Sequence, residues 1–223
     1  MRGSAAARVF GCASVLLSYP GPDFPGDLAA VGRAVDELPP GAARTHLTAT
    51  RSWLTSLAPA EVASVYVDTF DLGRRHALHL TYHTHGDTRE RGLALADLAG
   101  AYREAGLVLA PGELPDHLPA LLELAAVSKV GVAIVAAQRP SIELLRTGLE
   151  EAGSGFAGAM AAVVDTMGPA SRAQRAALAL LRASGPPTES VGLEPFGPPE
   201  LVAPSLAGPA PVPVQLRPRE PAR

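Results

Sequence analysis

The chain has 223 residues, 47% of them hydrophobic and 18% charged, enough apolar material for a buried core in one large domain or two small ones. A net charge of −3 excludes a general electrostatic fit to DNA or RNA. The single cysteine, Cys12, excludes an internal disulfide and any metal site built on two or more cysteines. No apolar run approaches the ~20 residues of a membrane span. The start of the chain, with Arg2, Arg8 and the apolar stretch 9–17, faintly resembles a leader. Gly11, Cys12 and Ser14 interrupt it, and no small-x-small cleavage site follows. A cytoplasmic protein is expected.

In chain order, residues 5–18 read as a first helix, stopped by Tyr19-Pro20-Gly21-Pro22. Helices follow over 27–38, ended by Pro39-Pro40-Gly41, and over 43–57. Pro59 suits the first turn of a fourth, which reaches about Asp71 with Glu61 beside its N-terminus. His76, His79 and His83 have the spacing of one helix face. Asp87 and Glu90 have capping-box spacing and open the next helix, whose core stripe is Leu95, Leu98, Ala99 and Tyr102, with Gly106 as its stop. Further helices are expected over 115–127, over 132–153 with a candidate break at Pro140, over 156–168, and over 171–183, where Ser171 and Gln174 form a second capping box.

No segment alternates apolar and polar residues with β-branched enrichment, so strands are not expected. The fold class is all-α: a single-domain helical bundle of about nine helices over residues 1–185. Residues 186–223 hold 11 of the 22 prolines and few large apolar side chains. Such a composition predicts a Pro-rich, extended or disordered tail.

Chemistry is sparse in this sequence. Phosphate-cradling and dinucleotide-type glycine loops are both missing, and Gly153-Ser154-Gly155 lacks the spacing of a nucleophile elbow. Cys12 reads as a small buried hydrophobe on an apolar helix face. Imidazoles at His76, His79, His83 and His85 could share a metal, with Asp116 and His117 as ligands from elsewhere; half-burial among Leu78, Leu80 and Tyr82 is the favoured reading. In Glu113-Leu114-Pro115-Asp116-His117-Leu118-Pro119, a carboxylate beside an imidazole could be a general-base pair. With no nucleophile nearby, Asp116 as a helix cap is favoured instead. No catalytic residue, metal site or cofactor is expected.

One ordered string of motifs does carry information. It runs through Tyr66-Val67-Asp68-Thr69-Phe70-Asp71, then Leu78-His79-Leu80-Thr81-Tyr82-His83-Thr84-His85-Gly86-Asp87-Thr88-Arg89 and Ala101-Tyr102-Arg103-Glu104-Ala105-Gly106-Leu107, to the 113–119 segment and Leu122-Glu123. Over about residues 60–126 this resembles the NarJ-type nitrate reductase molybdenum cofactor assembly chaperones, also called delta subunits. Ser14–Pro20 resembles the family's first helix, and Pro115-Asp116-His117 resembles a fingerprint shared more widely by molybdoenzyme chaperones.

The resemblance implies a helical cytoplasmic chaperone, not an enzyme. It implies binding of the N-terminal segment of the reductase's catalytic (alpha) subunit, which holds the apoenzyme during molybdenum cofactor insertion and before membrane docking. Molybdenum cofactor biosynthesis proteins are further implied partners. An apolar groove is expected among Tyr66, Phe70, Leu78, Tyr82 and Leu118, rimmed by Arg103, Glu113, Asp116 and His117. The competing functions are a hydrolase built on His76, His79, His83 and His117, and a permanent structural subunit of a membrane reductase complex.

Overall fold

The structure is a computed structural model that describes residues 4–187. Eleven α-helices make up this unit: α1 Ala5–Leu16, α2 Phe24–Asp36, α3 Ala42–Ser56, α4 Pro59–Tyr66, α5 Leu80–His85, α6 Arg89–Glu104, α7 Leu118–Val127, α8 Lys129–Ala137, α9 Arg139–Glu151, α10 Ala157–Thr166 and α11 Arg172–Ser184. The tail expected from residue 186 onward lies, apart from Pro186 and Pro187, outside the described residues.

Helix α1 sits at the centre because its apolar residues cover most of its circumference. Val9, Phe10, Ala13, Leu16 and Leu17 are all buried, and the helix packs against α2, α3, α7 and α10. A second knot of core is aromatic: the Trp53, Phe70 and Tyr66 rings all lie against Phe156, at centroid distances of 4.9, 4.8 and 6.1 Å. Tyr19 adds an edge-on contact to Tyr66 at 5.4 Å. Five of the chain's ten aromatic residues therefore join α3, α4 and the turn before α10. Where α7 meets α8, backbone atoms approach so closely that a Cβ on Gly131 would overlap the carbonyl of Leu124.

Two helices exceed the nine expected. The 132–153 segment is two helices that meet at Gln138, with Pro140 in the first turn of α9, where a missing N–H costs nothing. The other addition is α5, only six residues long. The fourth helix also changes character after Tyr66, widening into a π-helical turn over Val67–Asp71 that buries Phe70.

Between them lies the largest departure. Residues 74–85 do not form one helix: a 3₁₀ turn over Arg74–His76 is followed by extended backbone and then α5. His76, His79 and His83 therefore share no helix face. The capping box at Ser171 and Gln174 is present with both bonds. The one expected at Asp87 is not: Thr88 precedes the helix without a side-chain cap, and Asp87 pairs with Arg74 and Arg91.

Candidate functional site

The two motif segments of the sequence meet in an isolated antiparallel bridge between His79 and His117. The Leu80 N–H donates to the Asp116 carbonyl (3.1 Å) and the Leu118 N–H to the Leu78 carbonyl (2.9 Å). These bonds flank the histidines, which makes them a non-hydrogen-bonded pair, the kind whose side chains approach closest on one face. Their rings lie 5.3 Å apart. The neighbours on either side, Leu78, Leu80, Asp116 and Leu118, face the opposite way and are buried.

Asp116 is 0% exposed, and its carboxylate is fully engaged. Oδ1 accepts from His79 Nδ1 (3.0 Å); Oδ2 accepts from the Thr81 amide (3.3 Å) and hydroxyl (2.5 Å), with the Arg91 guanidinium at 3.6 Å. Thr81 is the second residue of α5, so Asp116 caps that helix across 35 residues. The expected local cap is corrected: α7 starts only at Leu118, with His117 before it and no side-chain bond at its end. Burial alone would raise the Asp116 pKa, but the His79 and Thr81 hydrogen bonds and the positive charges of His79 and Arg91 outweigh it and hold the carboxyl below its usual range. Arg91 completes the network by donating to Thr81 Oγ1 (3.3 Å) and lying over the Tyr82 ring (5.9 Å).

His117 uses Nδ1 on Glu113 (2.5 Å), and its pKa is lowered by burial, against the opposing pull of Glu113. His83 is buried, donates from Nε2 to the Ala77 carbonyl (2.8 Å), and is likewise pushed down by burial. Among the described residues no group of three or more His, Cys, Asp or Glu side chains is arranged to hold a metal ion.

Beside the bridge opens a groove of about 600 Å³ between the end of α1, the 107–113 loop and α7. Ser14, Ser18 and Tyr19 line one wall, Leu107–Ala110 a second, and Pro119, Glu123, Leu124 and Val127 a third, with Tyr66, Tyr102, Glu113 and His117 between them. No Arg or Lys among the described residues lines it. Its rim is apolar and exposed: Val108 is 94% accessible, Val127 72% and Tyr19 57%. The Tyr66 hydroxyl donates to the Leu17 carbonyl (3.3 Å), whereas the Tyr102 hydroxyl is buried with no partner among the described residues. Burial, reinforced by nearby carboxylates, raises both phenol pKa values.

The nine residues expected to form the groove divide. Tyr66, Glu113 and His117 line it. Phe70, Leu78 and Leu118 are buried core, and Asp116 is buried behind the bridge. Tyr82 faces a separate cavity of about 530 Å³ beside Arg74, Arg75 and Arg182. Arg103 is exposed on α6 and donates to the Ala99 carbonyl. Tyr19, Glu123 and the 107–110 run were not anticipated. Four consecutive apolar residues after the Gly106 stop, outside any helical pattern, were the available signal.

Residues 36–162, more than half of the chain, match the family model described as nitrate reductase delta subunit. The chain belongs to that family. Its delta-subunit region contains the bridge, the Asp116 network and most of the groove, and it encloses the 60–126 string on which the sequence resemblance rests. One relative is the probable nitrate reductase molybdenum cofactor assembly chaperone NarJ of Bacillus subtilis, 33% identical over 124 residues, 56% of this chain and 67% of the relative. The NarJ chaperone of Escherichia coli K12 is 46% identical over 70 residues, 31% of this chain and 30% of the relative. The nitrate reductase-like protein NarX of Mycobacterium tuberculosis H37Rv is 39% identical over 160 residues, 71% of this chain. This delta-subunit chain spans about a quarter of NarX (24%). The NarJ relatives are named as assembly chaperones, the class the resemblance implied, and not as hydrolases. No helix among the described residues is long and apolar enough to cross a membrane.

Proposed function

We propose that this chain is a system-specific, cytoplasmic assembly chaperone for a nitrate reductase. It binds the N-terminal segment of the catalytic (alpha) subunit and holds the apoenzyme while the molybdenum cofactor is inserted and before membrane docking. Membership of the delta-subunit family supports the client, and the groove between α1, the 107–113 loop and α7 supports the mode of binding. The proposed surface keeps Tyr66, Glu113 and His117 from the sequence expectation and replaces the six residues that do not line the groove with Tyr19, Tyr102, Val108, Glu123 and Val127.

The single observation that carries this reading is the open apolar rim, because large exposed apolar side chains grouped at a concavity mark a surface that another chain covers. An amphipathic segment laid there buries on the order of several hundred Å² of apolar surface, worth roughly 25 cal/mol per Å² before ordering costs. Micromolar affinity is then reachable. The test is calorimetry of the full chain against a synthetic peptide of the first ~30 residues of a nitrate reductase alpha subunit, long enough for one helix and its flanks. Micromolar or tighter binding with a negative heat-capacity change is expected. No saturable binding at peptide concentrations of ~100 μM would refute the reading, since any affinity that weak falls short of what the apolar burial supplies.

A further inference from the structure

Buried hydroxyls in folded proteins are almost always paired, since burial without a partner forfeits the hydrogen bonds that water supplied. Tyr102 departs from this rule inside the groove. Its side chain is 5% exposed, and the hydroxyl meets no acceptor or donor among the described residues. Three other side-chain atoms share that condition, on His76, Ser141 and Arg146, and none of those residues lines the groove. Tyr66 provides the comparison: also buried and also in the groove wall, it has its hydroxyl engaged on Leu17. The Tyr102 phenol remains protonated, because burial and then Glu113, Glu123 and Asp116 all disfavour the phenolate. It is therefore a hydrogen-bond donor without an acceptor among the described residues, held in the wall of a groove proposed to bind a peptide.

We propose that Tyr102 determines specificity in the groove, its hydroxyl donating to an acceptor oxygen carried by the docked client segment. This rests on the chaperone reading above. Apolar contacts select only for size and greasiness. A donor beneath them favours a segment that brings an acceptor, because only that segment gains the hydrogen bond the buried hydroxyl lacks in the free chain. The free chain tolerates the unpaired hydroxyl, and the cost is relieved only in the complex.

The experiment is Tyr102→Phe in the full chain, which removes one oxygen and leaves the ring. Melting temperature and peptide affinity are measured together, with Tyr66→Phe as the control for stability. The expected result is a split: Tyr102→Phe melts at the wild-type temperature or higher, while its affinity for the ~30-residue peptide falls tenfold or more. Tyr66→Phe, losing a bonded hydroxyl, melts lower. Wild-type binding with less than a tenfold loss in Tyr102→Phe overturns this inference alone. A lower melting temperature for Tyr102→Phe also overturns it, by exposing a structural bond of that hydroxyl. A wild-type chain that does not bind the peptide overturns the chaperone reading and this inference with it.

Discussion

Replacing Asp116 by Ala tests whether the acid of the Pro-Asp-His segment supports the fold or touches the client. The residue is fully buried, so Ala leaves the Thr81 amide and hydroxyl without their acceptor in a place water does not reach. It also strips the anion from His79 and Arg91, whose side chains are 38% and 19% exposed and recover part of that loss from solvent. Breaking a buried pair by removing one partner costs about 3–5 kcal/mol, and partial rehydration of the cations puts this case near ~3 kcal/mol. For a domain of this size, each kcal/mol moves the melting temperature by roughly 2–4 °C, giving a fall of about 6–12 °C. His117, the next residue, pairs with Glu113 at the groove rim, and His117→Ala is expected to cost no more than about 1 kcal/mol. Thermal melts followed by circular dichroism on both variants provide the assay, with peptide calorimetry in parallel. A fall of less than ~3 °C for Asp116→Ala, or a larger fall for His117→Ala, would refute the reasoning. The pH dependence has a defined sign. Asp116 has a depressed pKa in the folded chain, so its contribution is complete above the ordinary value of 3.8 and disappears only as pH falls through the lower folded value. Protonation of Asp116 itself should therefore cost the folded chain nothing between pH 7 and pH 5, and the advantage of wild type over Asp116→Asn should shrink through this carboxyl only below pH 3.8.

Two further outcomes are expected. His83 and His117 have pKa values lowered below 6.5, so the unfolded chain binds more protons as pH falls and stability is lost below about pH 6.5; the melting temperature should drop between pH 7.5 and 5.5, less steeply in His83→Gln, and an unchanged slope would contradict the burial of that imidazole. The Cys12 thiol is buried with its pKa pushed up to about 11, so a thiol-specific chromogenic reagent at pH 8 should label it only after denaturant is added, and rapid labelling of the folded chain would show α1 to be far more open than its packing implies.

Much of the helical framework was legible because Pro and Gly punctuate it. The stops at Tyr19-Pro20-Gly21-Pro22 and Pro39-Pro40-Gly41, the start at Pro59 and the Ser171 capping box all act through local backbone chemistry, which a linear sequence states directly. Features set by distant partners were not legible. The six-residue α5 is too short to show a period, and part of what stabilises its first turn is a carboxylate 35 residues away. The nine residues expected at the groove divide for a related reason. Phe70, Leu78 and Leu118 were eligible for an apolar surface by residue type, but the π-helical turn and the bridge turn all three inward. The exposed wall comes instead from a loop, where no periodicity reports which side faces out.

The histidine segment illustrates the limit most sharply. Spacing of three and seven residues is evidence for a shared face only if the backbone is helical throughout, and between Ala77 and His79 it is extended. Extended backbone reverses its facing at every residue. The consequence is visible on both sides of the bridge: Leu78 buried, His79 half-exposed, Leu80 buried; Asp116 buried, His117 half-exposed, Leu118 buried. An alternation three residues long is too brief to distinguish from chance in a sequence, so it could only appear once the two segments were paired. That alternation also explains how adjacent members of one motif take opposite duties. Asp116 is turned into the interior, where its charge organises α5 and α6, while His117 is turned to the groove, where a bound segment would meet it. On the proposed reading such a motif has one face for the fold and one for the client, and substitutions at neighbouring positions should separate the two.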